Sequence, residues 1–231
     1  MHEPRDPAAI KSEEAEEASA TGAPAPPEAP SLDMSSIETE QGAPVMRADA
    51  RRNREKLLAA AVELFANVGQ DAPLESIAER AGVGIGTLYR HFPTREALAE
   101  AAYRNEVQRL CDAAGELLAE CPPGEALAEW MDRFVTYVAA KRSMAGMLQS
   151  VIASSDPTLY VVARGRMAAA ITMLIEAAEQ DGAIRSDVEP DDVLRVMSAI
   201  WLVSDGPDWT ERSRRMLELL MDGLRYGAKG A

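Results

Sequence analysis

Residues 74–92 constrain the fold more than any other part of the chain, because their pattern permits only two short helices around a tight turn. Ile85, Leu88 and Phe92 are spaced i, i+3, i+7, which predicts that they share the buried face of the second helix. Gly82 provides the backbone freedom that ends the first helix. Two short helices joined in this way predict a helix-turn-helix.

The opposite face of the second predicted helix carries Gly86, Thr87, Tyr89 and Arg90. A helix face that offers a hydroxyl, a phenol and a guanidinium, but no acid, is suited to contact phosphates and base edges. Tyr89 has a second interpretation, in which its ring packs inside the protein and only its hydroxyl meets water. The spacing alone does not decide between these two interpretations of Tyr89.

The charge distribution supports the same interpretation, although the whole chain has a formal net charge of -14. Residues 1–46 have a net charge of -8, residues 47–104 of +1 and residues 105–231 of -7. The only segment that is not acidic therefore contains the predicted helix-turn-helix. Basic residues cluster over 47–56, just before and inside the first helix, where they form either a simple solvated face or a contact to phosphate.

The rest of the chain is predicted to be helical. Aromatic residues make up 5% of the chain, whereas Ala, Leu and Glu are abundant, and no strand-like alternation of any length occurs. The fold class is therefore all-α, with about nine helices. Beside the two helices of 74–92, the predicted helices span about 50–68, 95–120, 124–141, 143–153, 157–180, 190–204 and 209–226.

Three segments follow from these patterns. Residues 1–46 are rich in Ala, Pro, Glu and Ser and are predicted to be a disordered acidic tail, because they cannot bury enough apolar surface to offset chain entropy. The tail either competes with DNA for a basic patch or is solvated and has no role. Residues 47–95 are predicted to form a helix-turn-helix DNA-binding domain, and residues 96–231 a helical effector-binding and dimerisation domain.

The sequence offers no sign of catalysis. No set of His, Cys, Asp and Glu has metal-ligand spacing, and neither a GxSxG motif nor a P-loop is present, so we expect no catalytic residues, no metal and no cofactor. Cys111 and Cys121 are interpreted as small residues in a reducing cytoplasm. No apolar run reaches the roughly 18–20 residues of a membrane span, and the N-terminus lacks the features of a signal peptide. We therefore expect a cytoplasmic protein without membrane contact.

Residues 56–98 resemble the DNA-binding domain of the tetracycline-repressor (TetR) family of bacterial regulators. Apolar, Gly and aromatic positions all agree with the family in one register. The matching residues are the run 57–65, Gly69, Ile77, Ala78, Ala81, Gly82, Val83, the run 86–93 and the run 95–98. Pro73, Gly84 and Arg95 depart from the residues that are commoner in the family, although Arg95 keeps the charge of the usual Lys.

The resemblance implies that residues 84–91 form a recognition helix that enters the major groove of double-stranded DNA. Thr87, Tyr89 and His91 would mostly hold phosphates, while Ile85 and Gly86 would lie near the floor of the groove. The full set of implied DNA contacts is Arg51, Arg52, Gly84, Ile85, Gly86, Thr87, Tyr89, Arg90, His91, Thr94 and Arg95. Thr94 is also predicted to cap the helix that follows it.

The resemblance also implies a homodimer that pairs through its last two helices. A two-fold dimer would present two recognition helices about one turn of DNA apart, roughly 34–36 Å, on a near-palindromic operator.

The second domain is implied to bind a small apolar effector that releases a repressor from its operator. Candidate pocket residues are Met and aromatic or aliphatic side chains, which suit an adaptable cavity, although most of them are also good core residues. They are Trp130, Phe134, Tyr137, Met144, Met147, Leu148, Val151, Met167, Ile171 and Trp201. The alternatives are a DNA-binding regulator controlled by a protein partner or by none, and an α-helical enzyme. A cavity in the second domain would favour the effector, and solid packing would favour its absence.

Overall fold

The computed structural model of this chain describes residues 42–203 and 206–227. Over these residues the chain forms nine α-helices and no strand, which confirms the all-α prediction. The helices are α1 Gly42–Val68, α2 Leu74–Arg80, α3 Ile85–His91, α4 Arg95–Glu120, α5 Pro123–Ser143, α6 Ala145–Ser154, α7 Leu159–Asp181, α8 Pro190–Ser198 and α9 Trp209–Arg225. A short 3₁₀ helix, Ala199–Leu202, continues directly from α8.

Helix α1 begins earlier than its apolar pattern predicts. The pattern starts near residue 50, whereas the helix starts at Gly42 and therefore includes the last five residues of the predicted tail. Pro44 stands in the first turn, where its missing N–H is not needed for an intrahelical bond. The remainder of the tail, residues 1–41, lies outside the described residues.

The turn between α2 and α3 has the geometry that the sequence predicts. Gly82 adopts φ +69°, and its N–H donates to the carbonyl of Glu79 at 2.9 Å. The next N–H, of Val83, donates to the carbonyl of Ala78 at 3.0 Å. These two bonds form a Schellman motif, which ends α2 and directs the chain into α3.

The C-terminal helices enclose one core. Helix α4 packs against α5, α6 and α7, while α9 packs on α5 and α8 on α7. Trp130 is fully buried in this core, where its indole Nε1 donates to the carbonyl of Leu110 at 2.7 Å. The predicted boundary between the two domains, at residues 95 and 96, falls at the start of α4 and stays a prediction.

The segment after α7 departs from the predicted single helix of 190–204. Helix α8 ends at Ser198, and the chain tightens into the 3₁₀ helix before it turns away at Val203. Arg142 of α5 holds this segment, because its Nη1 donates to the carbonyls of Trp201 at 2.8 Å and Val203 at 3.4 Å. This tie fixes one wall of the cavity described below.

No single helix within 42–203 and 206–227 is both long and apolar enough to cross a membrane. Helices α6 and α7 meet that test only as a pair, on length and composition, and they join at a bend of 113°.

Candidate nucleic-acid interface and effector cavity

Helix α3 presents one buried face and one exposed face. Leu88 is 0% exposed and Phe92 2% exposed, as their spacing predicts. Ile85 was predicted to share that face, but it is 36% exposed, because it stands in the first residue of a short helix, where no neighbouring helix covers it. Tyr89 is 47% exposed, so its ring is not packed in the core.

The exposed face of α3 carries no acidic side chain. Arg90 lies along this face, where its Nε donates to the carbonyl of Gly86 at 3.3 Å and its Nη2 donates to Thr87 Oγ1 at 3.2 Å. Because Thr87 Oγ1 accepts this bond, the hydroxyl retains its own hydrogen to donate. Gly84 and Gly86 add no side chain, and an ideal Cβ at either would meet no atom within 4 Å. The face is therefore flat, open and rich in donors.

The start of α4 lies next to α3 and has two local anchors. Thr94 Oγ1 accepts from the backbone N–H of Ala97 at 3.0 Å, which confirms the predicted N-cap. Arg95 donates its Nη1 to the carbonyls of Gln70, at 3.0 Å, and of Ala72, in the turn between α1 and α2. The structure thus gives Arg95 an intramolecular partner that the sequence did not indicate, and its predicted phosphate contact stays a prediction.

The basic run of α1 reaches the helix-turn-helix through Arg54. Its guanidinium lies 5.4 Å from the centroid of the Phe92 ring, at the end of α3. The two predicted DNA contacts of this run, Arg51 and Arg52, are exposed and pair with acids of their own helix: Arg51 with Glu55 at 3.7 Å, and Arg52 with Asp49. Such exposed pairs are worth little and are easily exchanged for another anion.

A cavity of about 650 Å³ lies in the C-terminal half, between α4, α5, α6, α7, α8 and the 3₁₀ helix. Four of the ten predicted pocket residues line it: Phe134, Tyr137, Met167 and Trp201. The other six do not line it and are buried in the core instead; they are Trp130, Met144, Met147, Leu148, Val151 and Ile171. Helical spacing predicts the inward face, but it does not distinguish cavity from solid packing.

The sequence analysis missed the polar lining of this cavity. Lys141, Tyr160 and Tyr103 face it, and so do the arginines of α7 and α8, Arg164 and Arg195. Lys141 follows Tyr137 by four residues on α5, so the spacing contained a signal for it. Arg164 and Tyr160 precede the predicted pocket residue Met167 by three and seven residues on α7, so the spacing contained a signal for them as well.

Within the part of the chain that the structure describes, no group of three His, Cys, Asp or Glu side chains could hold a metal ion. The acid-free face of α3 and the cavity each combine access to solvent with distinct chemistry.

Two family models match these two parts of the chain. Residues 57–102 match the family described as bacterial regulatory proteins of the tetR family, and residues 122–226 match the C-terminal domain of SbtR-like transcriptional regulators. A crystal structure of the TetR transcriptional regulator SCO0520 from Streptomyces coelicolor is 52% identical, covers 74% of this chain and 98% of that one, and has a TM-score of 0.69. The chain belongs to the TetR family of transcriptional regulators.

Two further relatives agree with this assignment. The TetR transcription regulatory protein of Mycobacterium vanbaalenii is 34% identical over 78% of this chain and 99% of that structure, with a TM-score of 0.63. The HTH-type transcriptional repressor KstR of Rhodococcus jostii (strain RHA1) is 27% identical over 191 residues, which are 76% of this chain and 86% of that protein. This TetR-family protein is therefore a DNA-binding transcriptional regulator. Its family binds DNA operators as dimers.

Proposed function

We propose that this regulator is a repressor that binds a near-palindromic operator as a homodimer and leaves it when a small molecule fills the C-terminal cavity. The proposal makes the protein a regulator rather than an enzyme and implies that it acts in the cytoplasm, where bacterial operators lie. The observation that carries it is the exposed, acid-free face of α3, held in place by the turn at Gly82.

On this proposal α3 lies in the major groove. Tyr89, Thr87 and Arg90 contact phosphates, and Ile85 and Gly86 lie against the base edges. The exposed Ile85 supports this arrangement, since an apolar side chain at the start of the helix suits a thymine methyl group. The face has few long polar side chains, so specificity depends strongly on the spacing of the two α3 helices and on DNA shape.

The operator is found by selecting bound duplexes from a random pool, followed by Kd measurements at several salt concentrations. We expect a palindromic motif with half-sites about one helical turn apart. Arg90→Met should weaken binding at every sequence and reduce the slope of log K against log salt by about 1.8, because each of the two protomers loses one phosphate contact. Arg109→Met on α4 is the matched control, since among the described residues this exposed arginine pairs only with Glu106 of its own helix. Recovery of no palindromic motif at low salt would contradict the proposal.

The proposed dimer uses α8 and α9. Helix α9 exposes Met216 and Leu219, because α5 covers only the opposite side of α9, and Tyr226, directly after the helix, is exposed as well. Met216 and Leu219 are three residues apart and so lie on one side of the helix, and Tyr226 adds an exposed ring directly after its last residue; together they form an apolar stripe. Val196 of α8 is also exposed. An apolar stripe of this kind suits a self-complementary interface.

Leu219→Asp tests this interface by analytical ultracentrifugation. Leu219 is 73% exposed in the single chain, so the substitution leaves the core intact and should convert the dimer into a monomer that still shows helical circular dichroism. Val161→Asp, at an equally exposed valine on α7, is the control and should remain dimeric. If only Val161→Asp converts the dimer into a monomer, the dimer interface lies on α7 and the proposed interface of α8 and α9 is wrong.

Helix α6 connects the cavity to the DNA-binding helices. Ala145 and Gln149 of α6 line the cavity. Between them, Gly146 lies so close to the side-chain amide of Gln70 that a Cβ at this position would collide with Gln70 Oε1. The carbonyl of Gln70 in turn accepts from Arg95, at the start of α4. A ligand that moves α6 would therefore press on the turn between α1 and α2 and shift the two recognition helices to the wrong spacing.

This coupling is measured with compounds that raise the melting temperature of the protein. At least one of these compounds should reduce the affinity of the protein for its operator. The operator should reduce the affinity of the protein for that compound by the same factor, since coupling between two sites is reciprocal. Gln70→Ala should bring that factor toward one without changing the compound's affinity, whereas Asn67→Ala, on the exposed last turn of α1, should leave it unchanged. A compound that binds tightly but leaves operator affinity unchanged would refute control by a ligand.

A further inference from the structure

The cavity has an electrostatic character opposite to that of the protein. The chain has a net charge of -14, yet three cationic side chains and no Asp or Glu stand among the described residues that line the cavity. The groove between α5 and α9 shows the contrast. Five of its lining residues are acidic and two are arginines; the acids are Glu125, Glu129, Asp132, Glu218 and Asp222. The local excess of positive charge in an otherwise acidic protein favours the binding of an anionic ligand in the cavity.

The three cations of the cavity are not equivalent. Arg164 and Arg195 share the carboxylate of Asp191, with Arg195 Nε at 2.6 Å from Asp191 Oδ2. Lys141 makes no ion pair with any described residue; its ammonium lies 4.1 Å from the centroid of the Tyr160 ring and 4.9 Å from that of the Trp201 ring. Burial lowers the pKa of Lys141, because the ammonium loses water and no described acid pairs with it in exchange.

A pair of tyrosines lies beside Lys141. The hydroxyls of Tyr103 and Tyr137 are 3.1 Å apart, and both side chains are buried. Tyr160 joins the pair to Lys141, since its ring also contacts the Tyr103 ring with centroids 5.7 Å apart. Burial raises the pKa of Tyr103 to about 12 and raises that of Tyr137 as well, so both phenols stay protonated. Because one hydroxyl donates to the other, one O–H remains to donate to a ligand.

We propose that the effector is an amphipathic anion, with a carboxylate or sulfonate-like group that pairs with Lys141 and accepts the remaining O–H of the tyrosine pair. Its apolar body lies against Phe134, Met167 and Leu194, which line the same cavity. This inference rests on the proposed ligand control and narrows the ligand from small apolar molecules to those that carry one negative charge. A ligand anion would pair with the ammonium of Lys141 and stabilise its charge, because aromatic faces alone replace only part of the hydration that the ammonium has lost.

Two fluorescent compounds test the inference, because they share an apolar body and differ in charge. Anilinonaphthalene sulfonate carries one sulfonate, and phenylnaphthylamine carries none. Titration of the full chain with each should show tighter binding of the sulfonate, by about tenfold or more, the range expected for a charge-assisted hydrogen bond and ion pair. Ala199→Phe fills the cavity from the 3₁₀ helix and should weaken the binding of both compounds. A compound that binds this variant as tightly as the wild type is bound elsewhere on the surface.

Lys141→Met and Lys141→Arg separate charge from shape. Lys141→Met should abolish the preference for the sulfonate while it still binds phenylnaphthylamine, and Lys141→Arg should retain the preference. Persistence of the preference in Lys141→Met, or equal binding of both compounds to the wild type, would overturn the anion inference but leave the cavity as a ligand site. Failure of both compounds to bind at the cavity of the folded wild type would overturn the anion inference and the proposed ligand control together.

Discussion

Gly82 ends α2 and directs the chain into α3. The variant Gly82→Ala measures how much free energy of unfolding is lost when a residue with a Cβ adopts this backbone conformation. The residue adopts φ +69°, a conformation that strains any side chain with a Cβ. A Cβ added to this glycine would meet no atom within 4 Å, so the substitution creates no collision. Any loss of stability must therefore come from the backbone alone.

The magnitude follows from two opposing effects. Left-handed backbone costs a non-glycine residue about 1–2 kcal/mol. Alanine also restricts the unfolded chain, which stabilises the folded state by about 0.4–1 kcal/mol. We expect Gly82→Ala to reduce the free energy of unfolding by about 1 kcal/mol, which lowers the melting temperature by about 2–4 °C for a chain of this size.

Gly115→Ala is the matched control for this prediction. Gly115 lies in the middle of α4, is exposed and also has no atom within 4 Å of an added Cβ, but its backbone is helical. This substitution should stabilise the protein by about 0.5–1 kcal/mol. The restriction of the unfolded chain is common to both variants, so the difference between them reports mainly the strain at Gly82.

Urea unfolding followed by far-ultraviolet circular dichroism gives both free energies. Protein concentration must be the same for each variant, because dimerisation links stability to concentration. Operator affinity should fall for Gly82→Ala and not for Gly115→Ala, since only the first alters the turn ahead of α3. If Gly82→Ala proves as stable as Gly115→Ala, the strain assigned to this turn does not exist.

Two further stability predictions concern the ties around the helix-turn-helix. Thr94→Ala should cost about 1 kcal/mol through the lost cap to Ala97, whereas Thr94→Ser should be nearly neutral; equal losses in thermal unfolding would show that the hydroxyl is not the cause. Arg80 and Glu63 form two hydrogen bonds, at 2.9 and 2.6 Å, but their side chains are 60% and 45% exposed, so a double-mutant cycle with Arg80→Met and Glu63→Gln should give a coupling energy below about 1 kcal/mol. A larger coupling would mean that solvent screens this pair less than its exposure indicates.

The sequence predicted the features that depend on neighbours along the chain. The end of α2 at Gly82, the cap at Thr94 and the helical order of the chain follow from local chemistry: backbone freedom, a side-chain acceptor and a repeat near 3.6 residues. The resemblance of residues 56–98 to the TetR family rests on apolar, Gly and aromatic positions, which are also visible in the sequence alone. The start of α1 was placed eight residues late, because its first turns, residues 42–49, include Gly42 and Pro44 and have no apolar repeat near 3.6 residues.

Only the tertiary structure decided which inward side chains meet a cavity. Trp130 and Phe134 lie one turn apart on α5 and look alike in sequence, yet Trp130 is sealed in the core and Phe134 lines the cavity. Helical period fixes the face on which a residue stands, but it carries no information about the distance to the next helix. The same reason explains Lys141, whose surroundings come from Tyr160 on α7 and Trp201 on the 3₁₀ helix, far away along the chain. The exposed, acid-free face of α3 was therefore readable from the sequence, whereas the charge of the cavity required the fold.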